Sequence, residues 1–344
     1  MSEIEFDPDG PAPSQSGVYG LPFTVEQSKV VIVPVPFEAT TSYGGGTSKG
    51  PSALLDASRQ VDLHDHETGR PYAVGMAMMD EPGRIRKWNS VAKPLAAKVI
   101  EVGGDTGKRS VRKALARVNE LSGKMNEWVY QQTTELLEAG KMPVVLGGDH
   151  SVPFGAIQAY AERYPGMGIL HLDAHADLRE AYEGFVWSHA SIFFNVMTRI
   201  ASVGKLVQVG VRDLGSAENE MIRTSMGRIT TFFDADLAAR KEGGETWGSL
   251  ADEIVAALPE TVYLSWDIDG LDPTLCPHTG TPVPGGLSWN EAIGLLRALV
   301  RSGKRVVGLD LCEVSPGETE WDANVAARLL YKMIGFALKT QSQT

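Results

Sequence analysis

The sequence predicts an α/β protein, a three-layer sandwich with a mostly parallel central sheet and helices on both faces. Three observations lead there. Short apolar runs recur along the chain, each bounded by Gly, Pro or Asp, as strands covered on both faces require. Segments of helical period lie between them. The 344 residues are 43% hydrophobic and 22% charged, with 37 Gly and 19 Pro, a usage that excludes disordered and collagen-like chains.

Taken in order, residues 1–28 are rich in Pro, Ser, Gly and acids and lack apolar periodicity, so they are expected to form an extended arm on the body or on a neighbouring subunit. Residues 29–344 are expected to form one domain, since no linker or repeat divides them. Strands are expected at 30–35, 143–146, 168–172, 206–211, 229–233, 262–266 and 305–311, and helices at 110–138, 153–163, 247–258, 289–301 and 321–338. Alternation of this kind places ligands beyond the carboxyl ends of the strands. Two glycine-rich segments do not qualify as phosphate cradles. The run from Gly44 to Lys49 lacks the spacing, and Arg109 stands where a hydroxyl residue should follow the lysine at 108.

Lys and Arg total 32 against 43 Asp and Glu, a net charge of −11, which would repel a nucleic-acid backbone. No apolar run reaches the roughly 18 residues of a membrane span. Glu3, Glu5, Asp7 and Asp9 occupy a start that would be basic and then apolar in an export signal. Neither a nucleic-acid nor a membrane partner is therefore expected, and the expected location is cytoplasmic. Cys276 and Cys312 lie far apart, without the spacing of a thiolate cage or a disulfide framework.

The chemistry-bearing residues cluster where three expected strands end. GGDHS occupies 147–151, HLDAHAD 171–177 and DIDGLDP 267–273. In extended chain, residues two apart share a face, so Asp173, His175 and Asp177 can converge, as can Asp267 and Asp269. His150 joins them from a third strand end. Four gathered carboxylates demand compensating cations. Four Asp and two His without thiolate suit manganese most and remain usable by nickel, iron, cobalt or zinc. Six ligands overfill one open catalytic centre and fit two ions that share carboxylates. His171, His278, Asp149 and Asp272 are read as residues that orient the ligands.

These three motifs, in this order, resemble the signature segments of the ureohydrolase family of arginases, agmatinases and related amidinohydrolases. The likeness runs over roughly residues 30–338 and includes TGTPVPGGLSW at 279–289 and EVSP at 313–316. It implies an arginase-like sandwich in which 29–344 are a single catalytic domain. It further implies that His150, Asp173, Asp177 and Asp267 hold one manganese and Asp173, His175, Asp267 and Asp269 the other, with Asp173 and Asp267 bridging. Glu313 would pair with a substrate guanidinium, His189 would shuttle a proton, and Asp177 would hold the shared hydroxide. Relatives form trimers or hexamers, so a homo-oligomer is implied and a hetero-oligomer remains open.

The implied reaction is hydrolysis of a guanidine C–N bond by hydroxide shared between two metals, giving urea or a urea derivative plus ammonia or an amine. Even with two divalent ions the pocket keeps net negative charge, which draws a small cationic guanidine. Specificity is expected in 177–189, where Tyr182, Phe185 and Trp187 would cap a short pocket and Glu180 or Glu183 would meet a cationic tail. Arginases carry a longer segment there, and agmatinases read SHGTPF where this chain has SHASIFF. The nearest likeness is to hydrolases of guanidine or small alkylguanidines, some reported with nickel. Agmatine and guanidino acids remain alternatives, as do a subunit of a heteromeric biguanide (metformin-type) hydrolase and a one-zinc deacylase of related architecture.

Overall fold

The computed structural model describes residues 6–41 and 43–342. Its strands are β1 (Val30–Val35), β2 (Met76–Met78), β3 (Met142–Gly147), β4 (Gly168–Leu172), β5 (Lys205–Val211), β6 (Ile229–Phe233), β7 (Thr261–Asp267) and β8 (Arg305–Cys312). They form one sheet in the order β2-β1-β3-β8-β7-β4-β5-β6, every pairing parallel. The seven expected strands are all present to within one residue at each end. The addition, β2, is an edge strand that pairs with β1 at only three positions, too short for a run to stand out.

The helices are α1 (Gly50–Ser58), α2 (Gly83–Ile100), α3 (Arg109–Glu138), α4 (Phe154–Arg163), α5 (Ile192–Arg199), α6 (Ser216–Thr224), α7 (Asp234–Glu242), α8 (Trp247–Ala256), α9 (Trp289–Ser302) and α10 (Trp321–Gln341). The expected five correspond to α3, α4, α8, α9 and α10. Of the others, α2 carries Pro94 in its interior and α1 starts on Gly50-Pro51, both of which read as breakers. Termini follow local chemistry. Ser288 accepts the Glu291 N–H at the start of α9 while Glu291 reaches back to Ser288 N, and left-handed Gly303 ends the helix.

Side chains alternate across the sheet. Val30 and Ile32 join Leu170, Leu264 and Leu309 on one face beneath α1, α8, α9 and α10. Val31, Val33 and Val145 face α2 and α3, while Ile169, Tyr263 and Val307 face α4 and α5. Covering both faces is what permits an all-parallel sheet. Of the expected arm, residues 1–5 lie outside the described residues. Further along it, Val18, Tyr19 and Leu21 sink into the core, and Tyr19 Oη donates to Ala327 O at 3.0 Å. Among the described residues no helix is long and apolar enough to cross a membrane.

The topology positions the site. β3 and β4 follow one another in sequence but are separated in the sheet by β8 and β7. The order of connection, not the strand direction, reverses across these four parallel strands, and their carboxyl ends frame the crevice where such sheets bind ligands.

Candidate metal centre

Four adjacent strands each deliver one part of the cluster. His150 follows β3, Asp173 follows β4, Asp267 ends β7 and Glu313 follows β8. Register aligns them, because Leu172 pairs with Trp266 and Asp267 with Cys312. At the turn after β3, a Cβ on Gly148 would lie 2.0 Å from Phe37 O, so only glycine lets the chain turn here and carry His150 inward. Asp177 (φ 54°) and Glu313 (φ 61°) both hold the left-handed conformation that costs non-glycine residues about 1 kcal/mol or more.

The six expected ligands come together. His150 Nδ1 lies 3.0 Å from Asp173 Oδ2 and 3.4 Å from both Asp177 Oδ2 and Asp267 Oδ2. His175 Nδ1 lies 3.1 Å from Asp269 Oδ2 and 3.4 Å from Asp173 Oδ1. Among the described residues three groups of close donor atoms result: His150, His171, Asp173 and Asp177; Asp173, His175 and Asp269; and His150, Asp310 and Cys312. Asp173 is common to the first two, and Asp267 joins through His150. Backbone amides orient the acids, with Ala174 N donating to Asp269, His175 N to Asp173 and Asp269 N to Asp267.

A further layer holds the first in place. His171 Nε2 lies 2.8 Å from Asp173 Oδ2, and Gln208 lies 3.0 Å from its other ring nitrogen. His150 Nε2 lies 3.1 Å from Ser265 Oγ, which donates to Asp310 Oδ1 at 3.0 Å. Arg212 donates to the carbonyls of Asp269, Leu271 and Val283, fixing the loop after β7. His278 pairs instead with Asp322, Asp149 accepts from Ser151, and Asp272 turns its carboxylate to Thr274. Both cysteines are buried and free. Ser265 and Asp310 escaped sequence reading, although polar residues inside otherwise apolar strands were a usable signal.

Electrostatics test whether these residues suit a metal. Among the described residues no Lys or Arg side chain pairs with Asp173, Asp177, Asp267, Asp269 or Glu313, only histidines. Burial, then Asp173, pushes Asp177 up to about 7, and burial with Asp269 and Asp173 raises Asp267 well above the carboxylate range. Burial and Asp267 do the same to Glu313, whose Oε2 is buried without a hydrogen-bond partner. Burial opposes protonation of His175, but Asp269 and Asp173 outweigh it and carry the ring up to about 12. Acids offset by histidines alone, with oxygen and imidazole donors converging, fit divalent ions that would displace the ring protons.

A pH dependence follows from the signs. A carboxyl raised in the folded state contributes stability that is present below its unfolded value near 4 and lost as pH rises through the folded value, about 7 for Asp177. Metal-free protein should thus lose thermal stability from about pH 5 to 8. Ligands that must shed protons bind metal more tightly over the same window. The gap in melting temperature between manganese-loaded and chelated protein should widen across it, and a gap flat with pH would contradict this charge balance.

Substrate-side residues sort less completely. His189, half-buried, turns Nδ1 toward Thr40 Oγ1 at 3.5 Å and Ser188 Oγ at 3.4 Å. Burial, with His175 nearby, lowers it to about 4. Tyr182 lines a cavity of about 160 Å³ with His175, Asp177, Arg179, His189, Ala190, Asp213, Glu218 and Thr281. The other expected caps lie elsewhere. Tyr182 and Phe185 bridge across a tight turn whose centre, Glu183 and Gly184, is left-handed, and Phe185 is driven into the core. Trp187 packs on Phe154 and beneath Arg199, lining a separate surface cavity, so it is not a wall of the metal cleft. Neither Glu180 nor Glu183 lines the cleft. Arg179 does, and sequence reading, attentive to acids and aromatics, passed over it.

One wall was read only as an ordinary loop. Glu38, buried, accepts from Gly46 N, Thr47, Ser48 and Lys93, and this holds the glycine-rich run against Gly280 and Ser315 beside Glu313.

Comparison with known proteins agrees with the fold. An N(1)-aminopropylagmatine ureohydrolase of Thermus thermophilus is 34% identical over 310 residues, 90% of each chain. The agmatinase of Proteus mirabilis is 30% identical over 308 residues, covering 88% of this chain and 86% of its own. Among solved structures, the proclavaminate amidino hydrolase of Streptomyces clavuligerus superposes with a TM-score of 0.73 at 22% identity, covering 96% of this chain and 99% of its own, a likeness of fold. The Arginase family model matches residues 28–335. With that match across most of its length, the chain is a hydrolase of the arginase family.

Proposed function

We propose that this chain is a binuclear metal-dependent amidinohydrolase that cleaves a C–N bond of a small guanidine compound, releasing urea or a urea derivative and ammonia or an amine. The observation that carries it is the convergence of His150, Asp173, His175, Asp177, Asp267 and Asp269 with no Lys or Arg paired to the acids among the described residues, next to the uncommitted Oε2 of Glu313. His150, Asp173, Asp177 and Asp267 would hold one ion and Asp173, His175, Asp267 and Asp269 the other. When bound, the pair supplies concentrated positive charge that acidifies water to give a nucleophile at neutral pH.

The chain's own groups supply the rest. Glu313 Oε1 is fixed by His150 N–H at 3.0 Å, and Oε2 stays open to accept from a planar guanidinium, which sets its carbon over the acid cluster. Asp177 at the cavity wall holds a proton from the attacking water at its carboxylate. His189, neutral at pH 7, has Nδ1 occupied by hydroxyls, leaving Nε2 to take a proton and hand it to the leaving nitrogen. Tyr182 limits water at the mouth.

The cavity size supports a short substrate, although the named relatives act on agmatine and aminopropylagmatine. The test is to incubate the protein with manganese or nickel and guanidine, methylguanidine, agmatine, 4-guanidinobutyrate, arginine or metformin, and to measure urea and amine. Metal-dependent urea from a small guanidine is expected. Two bound metals with no turnover of any of them, or turnover of acetylated amines instead, would overturn the reading.

A further inference from the structure

Arg179 is the one Lys or Arg among the described residues that line the cleft, and its surroundings aim it. Its backbone N–H donates to Ala190 O at 3.0 Å, tying it to the segment that carries His189. Nε lies 3.5 Å from Glu218 Oε2, and the guanidinium sits 5.1 Å from the centre of the Tyr182 ring. Stacking and one anchored edge preset a guanidinium for planar, bidentate recognition. Nη1 and Nη2 make no hydrogen bond with any described residue, and the side chain remains 45% exposed.

The loop that bears it is stiff. Asn119 on α3 clamps the turn from both sides, donating to Gly184 O at 3.2 Å and accepting from Val186 N at 3.0 Å. Asn195 donates to Val186 O at 2.8 Å. Glu218 pairs with one edge of the Arg179 guanidinium and leaves its Nη edge open to the cavity. Glu218 is 3% exposed, with its two oxygens taken by the N–H groups of Leu178 and Gly215. Asp213 lies exposed on the rim, where water and salt screen it.

We infer that Arg179 reads a carboxylate on the tail of the substrate, so that the preferred substrates are short guanidino carboxylates rather than guanidino amines. This rests on the proposed amidinohydrolase reaction. Glu313 and the acid cluster would take the guanidinium at the base of the cleft. Nη1 and Nη2 would take the carboxylate in the cavity of about 160 Å³ that Arg179 shares with His175 and Asp177, a space that suits a tail of a few carbons. An ammonium in the same place would face the guanidinium N–H groups of Arg179, which can only donate, although the relatives named above act on amine-tailed compounds.

The test compares kcat/KM for guanidinoacetate, 3-guanidinopropionate, 4-guanidinobutyrate, agmatine and methylguanidine in the metal-loaded full chain and in Arg179→Gln, Arg179→Lys and Arg179→Glu. At least one carboxylate should exceed agmatine about tenfold or more in the unmodified protein. Arg179→Gln should lower the ratio of that carboxylate to methylguanidine about 10- to 100-fold, mainly through KM, as loss of a charged hydrogen bond implies. Arg179→Lys should restore part of it, and Arg179→Glu should turn the preference toward agmatine. Preference for agmatine in the unmodified protein, or ratios indifferent to residue 179, overturns the inference while leaving the reaction standing. Failure to hydrolyse any compound removes the reaction itself.

Discussion

Asp267→Asn should bind less metal, turn over far more slowly and yet be at least as stable as the unmodified chain when both are metal-free at pH 8. The three effects share one cause. Asp267 lies at the end of β7 between Asp173 and Asp269, and burial with their negative charge opposes its ionisation. Asparagine keeps the oxygen that accepts Asp269 N–H while removing the repelled charge. Relief of that repulsion favours the empty fold. With metal present the sign reverses, because an anionic ligand is gone. Loss of a supporting contact already costs about 10–100-fold in metal affinity, so loss of a ligand should exceed that. Turnover should fall by roughly a thousandfold, since the metals contribute several kcal/mol to the transition state. Elemental analysis, steady-state kinetics and thermal melts with and without chelator check the set. Unaltered metal content with full turnover would remove Asp267 from the centre.

Glu313→Gln should retain metal and lose turnover. Glutamine preserves the oxygen that accepts His150 N–H, so the strand end keeps its shape. It replaces an anion with an amide whose N–H groups oppose those of a guanidinium. Removing one partner of a buried charged pair costs about 2–5 kcal/mol, which corresponds to roughly 30- to 5,000-fold in kcat/KM. Glu313 also couples to the acids beside it. Burial and Asp267 oppose its ionisation when no metal is bound. Neutralising Asp267 with metal therefore releases Glu313 to ionise, and guanidinium binding should depend on metal even though the two touch different atoms. Calorimetry with a non-hydrolysable guanidinium mimic measures both. Equal kcat/KM in Glu313→Gln would remove Glu313 from its proposed role.

Much of this site was legible because its ligands sit at the ends of fully buried strands. Runs such as Gly168–Leu172 are apolar for a packing reason, so the polar residues that follow them stand out, and alternation then groups Asp173 with His175 and Asp177. Pairing of β7 with β4 and β8 could not be read, because parallel neighbours lie far apart in sequence. The cap residues were harder still. Tyr182, Phe185 and Trp187 share a composition that suggests a lined pocket, but the hairpin turn at Glu183 and Gly184 sends Phe185 inward and leads Trp187 toward α4. Side-chain direction in a turn depends on dihedral angles that residue type alone does not specify. Arg179 was hidden for another reason. An arginine near acids reads as a surface ion pair until its anchored edge and its open edge are seen separately.

The left-handed backbone at Asp177 and Glu313 has a lasting consequence. Glycine would relax the main chain at both places, so selection for heat tolerance alone would draw variants to glycine there and empty the site of two acids. Folding and chemistry pull in opposite directions at two codons, and any effort to toughen this enzyme should hold both constant and look for its gains elsewhere.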